Sequence, residues 1–129
     1  LVFSINAVKV DFVEYSHYPW IADPIVDEGI LMASDEDIAA MKISAITGRG
    51  TKKDFWDLYY LLEKYSLKDI LDLYKMKYPD GSEYLALKSL IYFNDAEVQE
   101  DPSPMHHLKW EQVKDRIRIE HKAYMDQLN

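Results

Sequence analysis

The sequence contains no cysteine and few residues that interrupt regular structure, with four glycines and five prolines among 129 residues. Without cysteine the chain cannot form disulfides or bind a metal through thiolates, which suits a cytoplasmic protein. It also lacks any apolar run near the ~20 residues of a membrane-spanning helix, and it carries no signal-peptide pattern. We therefore predict a cytoplasmic protein with no membrane partner.

Positive charge is scarce as well, with 15 Lys and Arg against 23 Asp and Glu and a formal net charge of −8. This balance disfavours a protein that coats nucleic acid by neutralising phosphates, although a local basic site stays open. The chain is 48% hydrophobic and has three Trp, ten Tyr and four Phe, enough to bury one core. We predict a single domain over residues 1–129.

The N-terminal residues alternate as β-strands do. Residues 1–5 and 8–15 are predicted to form a hairpin around Asn6 and Ala7, and residues 29–33 another short strand. The chain starts with Leu and enters a strand at once. We therefore expect residues 1–33 to be the β remnant of a longer protein of which this is the C-terminal part.

From residue 34 onward the apolar spacing becomes helical. Three N-cap residues each precede an aspartate by three positions, and they are Ser34, Thr51 and Ser66. Further helices are predicted over residues 83–93 and from Trp110 onward, whereas residues 94–107, acidic and with two prolines, are predicted to be a loop. The fold class predicted is α+β: short N-terminal antiparallel β-strands followed by a bundle of about five α-helices over residues 34–129.

Residues 42–58 place charges where a plain amphipathic helix would not. Lys42 shares a helix face with Ile38, Ala45 and Arg49, so two cations lie on the stripe predicted to face the protein. The glycines that follow, Gly48 and Gly50, permit positive φ and predict a C-cap and a tight turn.

In the helix after this turn, Asp54 and Asp57 flank an apolar stripe, so carboxylates and cations crowd around one turn. A purely structural interpretation remains open. Asp54 would then only cap its helix, Lys53 and Asp57 would form a surface pair at i,i+4, and Lys42 would extend from the edge of the stripe to water.

This segment resembles the C-terminal signature of the AbiEii-type nucleotidyltransferase toxins, in which a Lys-x-x-Ala-x-x-x-Arg helix precedes an Arg-Asp-x-x-Asp-Leu helix. The matching residues are Lys42, Ala45, Arg49, Asp54, Asp57 and Leu58. Lys53 replaces the usual arginine, so the planar fork that grips a carboxylate or phosphate is missing at that position.

The resemblance implies a bacterial toxin–antitoxin or phage-defence enzyme that transfers a nucleotide from a nucleoside triphosphate to an acceptor, expected to be RNA. It implies Mg²⁺ as cofactor, a cognate antitoxin as partner, and Lys42, Arg49 and Lys53 near the nucleotide phosphates. Lys42, Asp54 and Asp57 would be catalytic or would organise the pocket.

Asp11 lies in the middle of the second predicted strand, where aspartate is disfavoured. By the same resemblance it matches the third carboxylate of polymerase-β-like nucleotidyltransferases, a catalytic residue that acts as a metal ligand or as a base toward the acceptor. A polar outer face on a half-exposed strand would also account for it.

The family's Gly-Ser turn and Asp-x-Asp pair do not precede Asp11 in this sequence, and Asp35-Glu-Asp37 comes too late in the chain to serve. We therefore expect this polypeptide to be inactive alone. The alternative function is a non-catalytic helical module for protein contact, and a weaker third is an acidic domain that mimics nucleic acid. One shared cleft for the predicted residues would favour the enzyme, whereas their dispersal would favour the module.

Overall fold

The computed structural model describes the backbone of residues 3–4 and 7–9 and the complete residues 19–102 and 107–128. Within these ranges the strands β1 (Phe3–Ser4), β2 (Ala7–Lys9), β3 (Ile25–Asp27) and β4 (Ile30–Ala33) form an antiparallel sheet in the order β1-β2-β4-β3. The predicted N-terminal hairpin is confirmed by the pairing of β1 with β2, but Ala7, predicted to lie in the turn, belongs to β2 and pairs with Ser4. The predicted continuation of the second strand, over residues 10–15, lies outside the described residues.

Strand β3 is the part of the sheet that the sequence did not predict. It pairs with β4 across a two-residue turn in which Glu28 (φ 51°) and Gly29 (φ 79°) both adopt left-handed conformations. Positive φ at both positions is the mark of a type I′ turn, whose twist matches that of a hairpin. All three β3 residues are exposed, so no polar–apolar alternation indicates the strand in the sequence.

The helices are α1 (Asp35–Arg49), α2 (Lys52–Lys64), α3 (Leu67–Lys77), α4 (Glu83–Leu90), α5 (Asn94–Glu97) and α6 (Trp110–Gln127). The α+β class with five longer helices is confirmed, and so are the caps, since Ser34, Thr51 and Ser66 accept hydrogen bonds from backbone N–H groups three residues later. The predicted loop over 94–107 is wrong at its start, where α5 makes one turn, and α4 ends at Leu90.

Tertiary packing accounts for the short helix α5. The Phe93 carbonyl accepts the N–H groups of Ala96 and Glu97, each at 3.0 Å. The Phe93 ring is buried against Phe55 and Trp110, with ring centroids 5.0 and 5.7 Å away. The acidic composition of the segment gives no sign of this aromatic anchor.

Helix α1 lies at the centre of the molecule. It packs against α2, α3, α4 and the sheet strands β2 and β4, and all five of its residues 37–41 are buried. Helix α6 covers α2, α3 and α4 from another side, with the predicted stripe of Trp110, Val113, Ile117 and Tyr124 buried. A helix buried on more than one side needs few polar positions, and small residues such as Ala39 and Ala40 let its neighbours approach.

A fully buried ion pair connects helices α1 and α3 with residues 19–22, which precede β3. Asp37 of α1 and Lys77 of α3 are both 0% exposed, and Lys77 Nζ lies 2.8 Å from Asp37 Oδ1. Asp37 also accepts hydrogen bonds from the N–H groups of Ile21 (2.9 Å) and Ala22 (3.2 Å) and from the Ser34 hydroxyl (2.7 Å). The sequence predicted only a helix-capping position for Asp37, because its partner is 40 residues away.

The same network sets the ionisation of Asp37. Burial alone would raise the pKa of this carboxyl, but the hydrogen bonds from Ile21, Lys77, Ser34 and Ala22 favour the charged form more strongly, so its pKa is lowered. The charged form of Asp37 is therefore favoured by folding.

Neither of the two glycines after Lys42 adopts a positive φ. Gly48 lies inside α1 and Gly50 is its C-cap with φ −72°. A Cβ on Gly50 would lie 2.7 Å from Cε2 of the Phe55 ring, whereas a Cβ on Gly48 would have nothing within 4 Å. Gly50 is thus required by packing, and Gly48 opens onto free space.

Alanine substitutions at these two glycines should change stability in opposite directions. Gly48→Ala should raise the free energy of unfolding by about 0.5–1 kcal/mol, because alanine loses less backbone entropy in a helix. Gly50→Ala should lower it by about 1–3 kcal/mol, because the Phe55 ring must move. Urea denaturation of both variants checks this, and shifts of the midpoint in the same direction would contradict it.

Candidate active site

Three of the predicted residues meet in one cluster. Lys42 Nζ lies 3.3 Å from Asp54 Oδ1 and 2.9 Å from Asp57 Oδ2, so one ammonium group bridges two carboxylates. The side chains of Lys42 and Asp54 are each 15% exposed and that of Asp57 is 8% exposed. The cluster is therefore largely shielded from water but still reaches the surface.

The short connection between α1 and α2 creates this geometry. Gly50 and Thr51 alone separate the two helices, which brings the first turn of α2 beside α1. Asp54 Oδ2 accepts hydrogen bonds from the Thr51 hydroxyl (2.8 Å) and the Thr51 N–H (3.3 Å), while Thr51 caps the helix in return. Asp54 thus both caps α2 and binds Lys42. Its structural role as a cap and its place in the charged cluster are therefore compatible.

Asp57 is the electrostatically unusual member of the cluster. Burial raises its pKa, the positive charges of Lys42 and Lys53 oppose this, and the neighbouring Asp54 adds to the rise, with a raised pKa as the net result. The charged form of Asp57 is therefore disfavoured by folding in spite of its ion pair. Such perturbed carboxyls are enriched at functional sites.

The raised pKa predicts how Asp57→Asn should change stability with pH. Because the pKa of Asp57 is higher in the folded than in the unfolded chain, its contribution to stability is full below the unfolded value, about 4, and is lost as the pH rises through the folded value. Relative to wild type, Asp57→Asn should thus become more stable as the pH rises across this window. Urea denaturation of both proteins at pH values from about 4 to neutrality measures the difference in their free energies of unfolding.

Asp37→Asn provides the matched control for that experiment. The pKa of Asp37 is lowered by folding, so its contribution is present above the unfolded pKa and is lost as the pH falls through the folded value. The two asparagine variants should therefore show opposite pH trends. The same trend for both, or a flat difference for Asp57→Asn, would contradict the assignment of the raised pKa.

The other two predicted nucleotide-binding residues lie outside this cluster. Arg49 and Lys53 are both exposed, and the positive charge of Lys53 opposes the rise in the pKa of Asp57. The predicted stripe is wrong at Ala45 and Arg49, which face solvent, because α1 buries Met41, Ile43 and Ile46 in the core instead. Because several elements surround α1, its buried residues do not lie along a single stripe.

Arg49 lines a separate cleft of about 330 Å³ between the end of α1 and helices α4 and α5. Lys88, Tyr92 and Asp95 line the same cleft, and Gly48 forms part of its wall. Nothing in the sequence indicated Lys88, Tyr92 or Asp95, since no spacing rule relates them to a residue some 40 positions earlier.

The described residues do not by themselves fit a magnesium site. Asp54 and Asp57 are the only carboxylates of the described cluster, and Lys42 already occupies the position between them. No group of three or more His, Asp or Glu side chains converges in residues 19–102 and 107–128 as a metal site requires. Asp11, the predicted metal ligand, lies outside the described residues.

The comparisons with known proteins bear directly on this cluster. Residues 3–128 match the family model described as the nucleotidyl transferase AbiEii toxin of type IV toxin–antitoxin systems. The chain belongs to the AbiEii nucleotidyltransferase toxin family. The Lys42–Asp54–Asp57 cluster is therefore formed by the residues that carried the resemblance to this family in the sequence.

One curated relative is an uncharacterized protein of Aquifex aeolicus (strain VF5), 41% identical over 132 residues. The match covers 98% of this chain and 62% of that protein, so the chain spans less than two thirds of the relative's length. No solved structure gives a significant match. Among the described helices of this AbiEii-family chain, none is long and apolar enough to cross a bilayer.

Proposed function

We propose that this chain is the C-terminal part of a nucleotidyltransferase that transfers a nucleotide from a nucleoside triphosphate to an RNA acceptor and that a cognate antitoxin restrains. The observation that carries the proposal is the position of Lys42, held between Asp54 and Asp57 by an inter-helix turn of two residues. Family membership supports the reaction type, and the proposal assigns the reaction to this cluster.

Lys42 would act on the phosphates of the nucleotide. Nucleotidyl transfer depends mostly on positioning and on neutralising the charge that develops on the phosphoryl oxygens. An ammonium group fixed by two carboxylates is already oriented before substrate arrives, so little free energy is spent on ordering it. Asp54, anchored by Thr51, holds one side of the ammonium group.

Asp57 has a different part in the proposal. Burial raises its pKa, so folding makes its charged form less favourable than in water and its carboxylate takes up a proton more readily. Asp57 can thereby release Lys42 toward the nucleotide, or accept a proton from the acceptor hydroxyl. Both roles require the carboxyl group and neither is possible for asparagine.

Magnesium remains part of the proposal for the complete enzyme, where it would neutralise phosphate charge. Its ligands would come from Asp11 and from residues beyond those in the described cluster. For this reason residues 1–129 alone should incorporate no nucleotide, and measurable incorporation by this polypeptide with Mg²⁺ would contradict that expectation.

The test uses the full-length protein incubated with RNA, Mg²⁺ and each of the four α-labelled nucleoside triphosphates in turn. The proposal predicts label in the RNA with at least one triphosphate, and loss of that label in the Lys42→Met variant. Absence of label from every RNA and triphosphate with correctly folded protein would favour the alternative, a helical module for protein contact.

A further inference from the structure

The cleft between α1, α4 and α5 has a charge unlike that of the chain as a whole. Arg49 and Lys88 supply two positive charges to its lining and Asp95 one negative charge, in a chain whose formal net charge is −8. The cleft is open to solvent and lies outside the Lys42 cluster. It is therefore a local basic site on an acidic protein.

The two cations of the cleft are not used in ion pairs within the described part of the chain. Most other lysines and arginines there form an ion pair with a carboxylate. Examples are the buried Lys77 and the exposed Lys68, Lys75 and Lys122. Arg49 has no such contact among the described residues, and Lys88 contacts only the Tyr84 ring, 5.5 Å from its centroid. Because neither cation has a carboxylate partner there, neither has to give up an ion pair before it binds an anion.

Two further residues narrow the class of ligand. Tyr92 also lines the cleft and is 53% exposed, so its ring offers a surface on which a base can stack. Asp95 can accept hydrogen bonds from ribose hydroxyls or from amino groups of bases. Cations, an exposed aromatic ring and one carboxylate together suit a nucleotide better than a bare phosphate.

The cleft is held in a fixed relation to the Lys42 cluster. Arg49 follows Lys42 by seven residues on α1, which places it roughly 10 Å farther along nearly the same face of the helix. Helix α4 is fixed from the other side, since Tyr124 of α6 donates a hydrogen bond to Glu83 (2.6 Å) and a His121 ring nitrogen lies 3.0 Å from the Leu87 carbonyl oxygen. Neighbouring nucleotides of one strand can bridge such a distance.

We propose that this cleft binds a nucleotide of the single-stranded RNA acceptor, with its phosphate at Arg49 and Lys88 and its base against Tyr92. This inference rests on the proposed function for the identity of the acceptor. It adds Lys88, Tyr92 and Asp95 to the site as binding residues. Lys42 then acts on the triphosphate while the cleft positions the strand that receives the nucleotide.

Gly48 gives a direct way to test the cleft. It lines the wall, and a Cβ added there has nothing within 4 Å, so a side chain can be introduced at this position without disturbing the core. Gly48→Glu would place a negative charge beside Arg49 and Lys88, and Gly48→Gln is its neutral control of nearly equal size. The difference between the two variants reports charge and not volume.

Binding of a fluorescein-labelled single-stranded RNA of about ten nucleotides to the full-length protein is measured by anisotropy. Gly48→Glu should weaken binding about tenfold, while Gly48→Gln stays within about twofold of wild type. Arg49→Gln and Lys88→Gln should each reduce the slope of log affinity against log salt by about 0.7, the value for one phosphate contact on a single strand. Equal affinity of Gly48→Glu, Gly48→Gln and wild-type protein for the RNA would overturn the proposal.

Two further measurements separate this inference from the proposed function. Should Gly48→Glu weaken binding of a nucleoside triphosphate and leave RNA affinity unchanged, the cleft is a triphosphate site and the inference fails. Loss of RNA binding in Gly48→Glu, with no transfer by wild-type protein, would support the cleft and overturn the proposed function. If wild-type protein transfers nucleotide and Gly48→Glu leaves the KM for RNA unchanged, the proposed function is supported and the inference about the cleft fails.

Discussion

The Lys77→Met variant should lose about 3–5 kcal/mol of unfolding free energy, more than any other single change considered for this chain. The substitution leaves the Asp37 carboxylate buried without its cation. It also removes the hydrogen bond from Lys77 Nζ to the Pro19 carbonyl (3.0 Å) and the contact with the Trp20 ring, 4.8 Å away. Methionine restores most of the volume, so the loss is mainly electrostatic.

Lys68→Met is the matched control on the same helix. Lys68 is 63% exposed and pairs with Asp72 one turn later, so its replacement should change the free energy of unfolding by less than about 1 kcal/mol. Urea denaturation and thermal melting of both variants compare the two ion pairs directly. Similar stabilities of Lys77→Met and Lys68→Met would mean that the Asp37–Lys77 pair does not hold α1, α3 and residues 19–22 together.

The second large effect concerns activity. In the full-length protein Lys42→Met should lower the rate of nucleotide transfer about 100-fold or more, because removal of one charged donor to a developing phosphate charge commonly has that effect. The proposed growth inhibition by the full-length protein should disappear in parallel. A radiolabel incorporation assay measures the rate, and circular dichroism verifies that the variant is folded.

Lys68→Met again serves as the control, since it removes an exposed lysine that pairs with Asp72 and not with the cluster, and it should transfer nucleotide at the wild-type rate. Lys53→Arg adds a second comparison. It restores the arginine of the family signature at an exposed position next to Asp54, and we expect transfer to be kept or improved. Normal transfer by Lys42→Met would contradict the proposed role of the cluster.

The local patterns in the sequence predicted most of the helices because they depend on neighbours along the chain. Ser34, Thr51 and Ser66 cap their helices as expected, and Trp110, Val113, Ile117 and Tyr124 face the core. The contacts of Lys42 with Asp54 and Asp57 were also within reach, since a turn of two residues joins their helices.

Distant contacts could not be predicted in the same way. Asp37 and Lys77 are 40 residues apart, and no periodicity indicates that a lysine at the end of α3 is completely buried. The cleft joins Arg49 with Lys88, Tyr92 and Asp95 only because α4 and α5 pack beside the end of α1. Strand β3 has no buried face, so only its pairing with β4 identifies it.

The two lysine–aspartate contacts of α1 have opposite electrostatic characters. Folding favours the charged form of Asp37, which is the behaviour of a structural ion pair. Folding disfavours the charged form of Asp57, although Lys42 lies 2.9 Å away. Carboxyls with such a raised pKa are enriched at functional sites, which supports the role proposed for Asp57 in nucleotide transfer.

The most direct test of this account measures stability and activity together for Asp57→Asn in the full-length protein. We predict that the melting temperature stays within a few degrees of the wild-type value or rises, while nucleotide transfer and growth inhibition fall about 100-fold or more. A melting temperature lowered by many degrees together with full transfer activity would contradict the account and assign the Lys42–Asp54–Asp57 cluster to structure alone.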